Sequence, residues 1–281
     1  MKHFIFTFLF LLSTMQPAFG QHPSKSFHIY LCIGQSNMAG QAPITEEYKY
    51  GAGDRFLKMG TVPSDGVGVW SKAIPPLSHA GAKLGPADFF GRKMLSLLPP
   101  TDTVAVIVVA VEGCAMRLFN EDTLQDYLVE VSKRKYWEWF FDITTQYGDN
   151  PYRRLIDCAK EAQKRGVIEG ILLHQGETDA HTELWDEQVK DLYNHITSEL
   201  HLNPEDTPII AGEIAHNGQE SIRNAMIHRL PLWIPNAAVV SSKGCPLQKD
   251  RGHFTLEGYK KLGERYALQM MKMKSKKHKS H

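Results

Sequence analysis

Two polar segments near opposite ends of this 281-residue sequence carry side chains suited to acyl transfer. GQSNMAG, at residues 34–40, places Ser36 directly after an apolar run, and DRGH, at residues 250–253, sets Asp250 and His253 three positions apart. At that spacing the carboxylate can accept a hydrogen bond from imidazole Nδ1, which leaves Nε2 free to take a proton from a serine hydroxyl. The pattern predicts Ser36 as nucleophile, His253 as base and Asp250 as its orienting partner.

Two further segments offer donors for the oxyanion that acyl transfer creates. Gly113 follows an apolar run, and its backbone N–H can approach an oxyanion closely because glycine has no side chain. HQGETD, at residues 174–179, follows another apolar run and contains the amide of Gln175. We therefore predict an oxyanion hole formed by the backbone N–H groups of Ser36 and Gly113 and by Gln175. The alternative for HQGETD is a solvated loop that caps a helix.

The elements that position these residues follow from the hydrophobic pattern. Short runs rich in Ile, Val and Leu predict buried strands at residues 28–33, 104–111, 167–173, 207–211 and 237–241. Apolar residues at helical spacing predict helices around residues 90–97, 155–162, 185–200 and 256–270. Strands separated by helices require right-handed crossovers, so the pattern predicts one parallel sheet with helices on both faces.

Position along the sheet links these elements to the chemistry. Ligands of open parallel sheets bind beyond the carboxyl ends of the strands, and the candidate residues all follow predicted strands or open the last helix. We expect Gly34 to adopt a positive φ in the turn that exposes Ser36. The segments 41–84 and 113–148 are too long for plain connections and predict irregular insertions that shape the site.

Composition excludes several other classes of protein. The chain has 32 basic and 31 acidic residues and 42% hydrophobic residues, which is typical of a globular domain and not of a disordered chain. A formal net charge of +1 gives no overall argument for nucleic-acid binding, which needs a concentrated basic face, so we predict no nucleic-acid partner. The four cysteines show no metal-binding spacing, and we predict no metal or cofactor; at least two should be buried as small apolar residues. They are Cys32, Cys114, Cys158 and Cys245.

The two ends of the chain differ in composition from the segment between them. Residues 1–20 combine a basic start, an apolar run too short to span a bilayer and a small-residue cleavage site at Ala18-Phe19-Gly20, which predicts a signal peptide. The alternative is a membrane-anchoring first helix. We predict a secreted or periplasmic protein cleaved near Gly20, without a membrane span, with one domain at residues 21–271. Residues 272–281 predict a frayed basic tail.

The motifs together resemble a known family. GQSNMAG, HQGETD and DxxH, in this order, are similar to those of carbohydrate esterases of the sialate O-acetylesterase and acetylxylan esterase type, a branch of the SGNH hydrolase superfamily. The resemblance runs from about residue 29 to residue 267. It implies a three-layer α/β/α sandwich with a flavodoxin-like parallel sheet, and a serine esterase that removes O-acetyl groups from sugars. Three departures stand out. GQS stands where many SGNH enzymes have GDS, and Glu112 precedes Gly113 where relatives often have a double glycine. Thr178-Asp179 stands where many SGNH enzymes have an Asn-Asp pair, so Gln175 is the expected substitute for the missing asparagine.

Substrate recognition is less sharply defined by the sequence. We expect substrate contacts from Gln35, Asn37 and Glu177 within the motifs, and from Arg117 if the sugar carries a carboxylate. The aromatic insertion Tyr136 to Tyr147 can either stack on sugar rings or pack into the core. These residues do not choose between sialate and xylan-type esters, and the oligomeric state stays open.

Two alternatives come from other chemistry. A carboxylate and imidazole cluster could hold a divalent ion for metal-assisted hydrolysis. Its members are His174, Glu177, Asp179 and His181. A catalytically silent sugar-binding domain on an esterase scaffold is the other alternative.

Overall fold

The structure is a computed structural model that describes residues 23–179, 183–218 and 221–277. The predicted signal peptide and the last four residues of the predicted basic tail lie outside these ranges. None of the helices within the described ranges combines the length and the apolar character that crossing a bilayer requires.

A single mixed sheet forms the centre of the described chain. Its strands are β1 (Ser24–Gly34), β2 (Phe56–Met59), β3 (Trp70–Lys72), β4 (Thr103–Ala110), β5 (Gly166–His174), β6 (Ile209–Gly212) and β7 (Ala237–Val240). Their order is β3-β2-β4-β1-β5-β6-β7, and every neighbouring pair is parallel except the antiparallel pair of β2 and β3. The predicted parallel sheet is therefore confirmed for six strands, with β1 in the middle, and β3 adds an antiparallel edge.

Helices cover both faces of this sheet. They are α1 (Ser36–Ala39), α2 (Pro86–Leu97), α3 (Glu121–Ser132), α4 (Glu138–Gln146), α5 (Pro151–Ala162), α6 (Trp185–Glu199), α7 (Ser221–Ile227), α8 (Leu230–Trp233) and α9 (Leu256–Lys277). Successive side chains of a strand point to opposite faces. Accordingly Tyr30 and Cys32 pack with α2 and α9, whereas Leu31 and Ile33 pack with α5 and α6. The result is the predicted three-layer α/β/α sandwich.

Helix α5 shows how the sequence encodes one of these layers. The side chain of Asn150 accepts a hydrogen bond from the backbone N–H of Arg153 at 2.9 Å, and Pro151 occupies the first helical position. Both residues satisfy or remove N–H groups that a helix start leaves unpaired. Leu155 and Ala159 then point into the core with no exposure. Burying a side chain of the size of leucine contributes about 2 kcal/mol of stability.

Both segments predicted to be irregular contain regular structure. The first includes β2 and β3, and the second includes α3 and α4. Strand β2 is short, and its apolar run is interrupted by Lys58, whose ammonium is buried and lies 2.6 Å from Asp65. Helix α3 buries Leu124, Tyr127 and Val131. Strands as short as β2 and β3 give too few residues for a clear alternation, whereas the apolar residues of α3 do stand at helical spacing and the sequence prediction passed over them.

The C-terminal prediction also needs correction. Helix α9 continues through Lys277, so the first six residues of the predicted frayed tail are helical. Lys274 Nζ lies 2.6 Å from the carboxylate of Glu169 on β5, which holds this end of the helix against the sheet. The prediction for the cysteines is confirmed, because all four are buried and unpaired.

Candidate active site

The carboxyl ends of the strands bring together the two segments that the sequence places far apart. Ser36 begins α1 immediately after β1, and His253 lies in the loop that leads into α9. Ser36 Oγ lies 3.0 Å from His253 Nε2, and His253 Nδ1 lies 2.7 Å from Asp250 Oδ2. The three side chains thus form one continuous hydrogen-bonded chain, in the order expected for a nucleophile, a base and its orienting carboxylate.

Asp250 is fixed as an ionised acceptor. Its second oxygen, Oδ1, accepts the backbone N–H groups of Gly252 at 2.9 Å and His253 at 3.0 Å. Burial raises the pKa of Asp250, but the hydrogen bonds from the His253 ring and from these two N–H groups outweigh it and lower the pKa to about 2. Asp250 therefore remains a carboxylate at neutral pH and keeps the proton of His253 on Nδ1.

Asn37 joins the loop of His253 to the segment of the nucleophile. Its Nδ2 donates to the carbonyl of Gly252 at 3.0 Å, and its Oδ1 accepts the Tyr259 hydroxyl at 2.7 Å and the Phe254 N–H at 3.4 Å. Gly252 and Phe254 flank His253, so these bonds hold the peptide that carries the imidazole beside Ser36. The Asn37 amide, expected to contact substrate, is instead committed to protein partners and is nearly fully buried.

The backbone N–H groups of the predicted oxyanion hole, those of Ser36 and Gly113, have no acceptor among the described residues. Gly113 has a φ of 65°, a conformation that favours glycine, and a Cβ there would lie 3.1 Å from Trp139 and 3.4 Å from Trp137. Any side chain at this position would strain the turn and crowd the two indole rings.

Gln175 lies elsewhere than the sequence prediction places it. Its Nε2 donates to the carbonyl of Cys114 at 3.0 Å and also to the carboxylate of Asp179, while its Oε1 accepts the indole N–H of Trp185. These bonds use both protons of the amide, and Gln175 does not line the cavity described below. Gln175 therefore ties the loop after β5 to the Cys114 backbone, and the predicted oxyanion contact is not formed.

Gly34 also differs from its prediction. It is the last residue of β1 and does not have a positive φ. A Cβ at this position would lie 2.1 Å from the carbonyl oxygen of His174 at the end of β5. Glycine is required here because two neighbouring strands converge closely beneath Ser36.

An open cavity of about 350 Å³ lies over Ser36 and His253. Its walls include Gly113, Trp139 and the carboxylate-bearing residues Glu112 and Glu177. Gln35 and Asn37 also border it, but both side chains are almost fully buried. The Gln35 side-chain amide donates to the Thr178 hydroxyl, and its carbonyl oxygen accepts the backbone N–H groups of Gly176 and Thr178, each at 3.4 Å.

Arg117 does not reach this cavity. Its Nη1 donates to Glu130 Oε2 at 2.6 Å, and its guanidinium carbon lies 5.3 Å from the centre of the Tyr127 ring. The predicted contact with a sugar carboxylate is therefore not available in this structure. The aromatic insertion divides: Phe140 and Tyr147 are buried in the core, whereas Trp139 is 39% exposed and borders the cavity.

Sequence reasoning missed one buried cluster beside the cavity. His79 Nε2 lies 2.9 Å from Glu112 Oε2, and Gln41 Nε2 donates to Glu112 Oε1 at 3.1 Å. His79 Nδ1 accepts the N–H of Gly81 at 3.2 Å, so the imidazole proton is on Nε2 and points at Glu112. Both partners lie in the segment predicted to be irregular. The sequence offered one signal for this cluster, namely that Glu112 stands where related enzymes often have a glycine.

The proposed metal cluster is not assembled from the described residues. His181 lies outside them, His174 Nδ1 contacts the Tyr266 hydroxyl at 3.2 Å, and the Asp179 carboxylate accepts the Met116 N–H at 3.1 Å. Burial lowers the pKa of His174 and raises that of Asp179. Within the described ranges, no group of three His, Cys, Asp or Glu side chains is arranged to hold a metal ion.

The α/β/α sandwich, with a serine–histidine–aspartate chain at the carboxyl edge of its sheet, defines the class as an SGNH-type esterase. The family model for "Carbohydrate esterase, sialic acid-specific acetylesterase" matches residues 26–272. The chain belongs to this family, and the protein is an esterase.

Individual relatives agree with this assignment. A probable carbohydrate esterase of Arabidopsis thaliana is 25% identical over 263 residues, covering 86% of this chain and 90% of the relative. A crystal structure of an Arabidopsis thaliana protein superposes with a TM-score of 0.66 at 22% identity, over 87% of this chain and 98% of that one. NanS superposes with a TM-score of 0.60 at 13% identity, over 89% and 98%. At these identities the structural likenesses establish the fold.

Proposed function

We propose that the protein hydrolyses O-acetyl esters of carbohydrates through an acyl-enzyme formed on Ser36, with His253 as base and Asp250 as its orienting partner. Membership of the carbohydrate esterase family supports the hydrolysis of O-acetyl groups on carbohydrates. The observation that carries the mechanism is the unbroken hydrogen-bonded chain from Ser36 Oγ through the imidazole to the Asp250 carboxylate.

In the first half of the reaction, Ser36 Oγ attacks the acetyl carbonyl carbon while His253 Nε2 takes the hydroxyl proton. The carbonyl oxygen becomes an oxyanion, to which the N–H groups of Ser36 and Gly113 donate. Collapse of this tetrahedral intermediate breaks the bond to the sugar oxygen, which leaves as an alcohol with the proton from His253. Acetyl-Ser36 remains.

In the second half, water attacks the acetyl-enzyme and His253 removes its proton. The same N–H groups hold the second oxyanion, and collapse releases acetate as the proton returns to Ser36 Oγ. Asp250 stabilises the imidazolium in both halves because its pKa of about 2 keeps it ionised. The open cavity supports this assignment, since it leaves room for a sugar above the serine.

The N-terminal signal peptide at residues 1–20 and export to the periplasm or outside the cell belong to the same proposal. They rest on the basic start, the short apolar run and the small-residue site at Ala18-Phe19-Gly20. An acetylated polysaccharide outside the cytoplasm would be accessible to such an enzyme.

Acetate release from acetylated glycans tests the catalytic assignment. We expect Ser36→Ala to lower kcat/KM by at least about 10⁴-fold, because loss of the nucleophile removes the covalent route. Ser96→Ala is the matched control, since Ser96 is an exposed serine on α2 whose hydroxyl bonds to the Lys93 carbonyl. Acetate release at the wild-type rate by Ser36→Ala would refute the mechanism. Sugar binding without acetate release in the wild-type protein would favour the non-catalytic alternative.

A further inference from the structure

The charges that border the cavity select among possible sugars. We infer that the site accepts neutral acetylated sugars and discriminates against sugars that carry a carboxylate, and that Glu112 is the residue that sets this preference. The inference rests on the proposed function and specifies its substrate class.

Glu112 presents an oriented negative charge at the cavity wall, next to the backbone N–H expected to receive the oxyanion. His79 and Gln41 donate to its two oxygens and fix the carboxylate, whose side chain keeps 16% of its surface exposed. A carboxylate can accept about four hydrogen bonds, so capacity remains for hydroxyl donors of a sugar. A neutral polyol satisfies such an acceptor, whereas a second carboxylate repels it.

No cation in the cavity wall offsets this charge. Among the described residues that line the cavity, the ionisable groups besides His253 are the carboxylates of Glu112 and Glu177. His79 does not line the cavity; its Nδ1 accepts the Gly81 N–H and its Nε2 contacts Glu112. Glu177 accepts the Asn37 amide at 2.7 Å, which is a neutral donor. The buried Arg223 guanidinium lies close enough to Glu177 to interact with its charge, so Glu112 is the carboxylate that no cation of the cavity lining offsets.

The nearby arginines do not line the cavity, and each has a partner elsewhere. Arg223 donates to the Asp179 carbonyl. Arg117 pairs with Glu130 outside the cavity. Arg251, two positions before His253, donates to the Asn217 carbonyl at 2.6 Å. Lys249 lies exposed on the same loop and does not line the cavity. Its charge is close enough in sequence to His253 to oppose the inference, so its replacement belongs in the test.

Trp139 supplies the complementary apolar surface. Its indole ring is partly exposed at the cavity and packs at 5.3 Å, between ring centres, against Trp137. An aromatic face suits the C–H face of a sugar ring. A carboxylate that accepts hydroxyl donors and an indole ring in the same cavity wall together suit an uncharged pyranose.

The test compares two substrates that differ only in charge: a mono-O-acetylated methyl glucopyranoside and the corresponding methyl glucuronopyranoside, for each ester position. We expect the wild-type kcat/KM to favour the neutral sugar by at least about tenfold. In Glu112→Gln the ratio should fall severalfold toward one. Glu161→Gln, which removes an exposed carboxylate paired with Lys164 on the surface, should leave the ratio as in the wild type.

Several outcomes would overturn the inference: equal or better hydrolysis of the glucuronide by wild type, an unchanged ratio in Glu112→Gln, or loss of glucuronide hydrolysis in Lys249→Gln. If Glu112→Gln does not fold, the inference is tested with the wild-type protein by measuring how strongly the unacetylated sugars inhibit its hydrolysis of 4-nitrophenyl acetate. The methyl glucoside must then inhibit the wild type at least about tenfold more strongly than the methyl glucuronoside. Absence of Ser36-dependent hydrolysis of 4-nitrophenyl acetate would instead contradict the proposed function itself.

Discussion

His28 and His253 lie near opposite edges of the sheet, and each imidazole contacts a carboxylate, but only His253 also contacts a hydroxyl. His253 Nδ1 contacts one carboxylate, Asp250, while Nε2 faces the Ser36 hydroxyl. His28, near the amino end of β1, contacts Glu169 through Nδ1 and Asp102 through Nε2, both at 3.0 Å. A histidine acts as a base only when one nitrogen faces a group that can give up a proton. His28 has carboxylates on both sides, so it serves to join strands.

The electrostatics follow from this geometry. The hydrogen bond to Glu169 raises the pKa of His28, burial lowers it, the bond to Asp102 raises it, and the charge of nearby Lys274 lowers it. The charged form of His28 thus bridges β1, the residue before β4, and β5, at the end of the sheet away from the cavity.

Replacing each histidine by glutamine tests the comparison most strongly. We expect His253→Gln to lower kcat/KM for an acetylated sugar by at least about 10⁴-fold, because no group remains to take the Ser36 proton. His28→Gln should retain activity within about twofold at 25 °C, since it lies away from the reacting atoms. Acetate release under first-order conditions measures both. Comparable losses in the two variants would show that the site does not depend on the base described here.

Replacing the carboxylates beside the two histidines should give a smaller difference in kcat than replacing the histidines. We expect Asp250→Asn to lower kcat by about 10²-fold to 10³-fold, because an amide no longer stabilises the imidazolium. This loss is smaller than for a fully buried aspartate, since the Asp250 side chain is about half exposed. Asp102→Asn, the corresponding change beside His28, should leave kcat unchanged. A wild-type kcat in Asp250→Asn would remove Asp250 from the mechanism.

The smallest expected effect is a pH-dependent contribution of His28 to stability. Its folded-state pKa lies above the ordinary value of 6.5, so its stabilisation is fully present below that pH and is lost as the pH rises through the raised pKa. We expect His28→Gln to lower the free energy of unfolding by about 1 kcal/mol more at pH 6 than at pH 9. Urea unfolding at the two pH values measures it.

His195→Gln, which alters an exposed histidine on α6, is the control for the stability measurement and should show no such difference. A destabilisation by His28→Gln that is independent of pH would mean that His28 contributes by packing and not by charge.

The sequence predicted well where the central strands lie and which residues follow their carboxyl ends. Long apolar runs reveal buried strands, and the rule that parallel strands share a carboxyl edge was enough to place Ser36 and His253 together. Short elements with buried polar residues, such as β2 with Lys58, carry no such periodic signal. The sheet centre was therefore predictable, whereas its β2–β3 edge was not.

Side-chain direction was the part of the site that sequence reasoning could not supply. Gln175 turns away from the cavity because the Trp185 indole and the Cys114 carbonyl bind its amide. Arg117 turns to Glu130, which lies thirteen positions further along the chain. Such choices depend on partners that tertiary structure brings close, and a list of residue types does not contain them.

The bonds of Asn37 make the catalytic base depend on the docking of the last helix. Tyr259 in the first turns of α9 and the carbonyl of Gly252 both converge on that one amide, beside the serine. Fraying of α9 at its start would thus withdraw the imidazole while the hydroxyl stayed in place. Enzymatic turnover consequently reports on the integrity of the chain's C-terminal region, more than two hundred residues from the nucleophile.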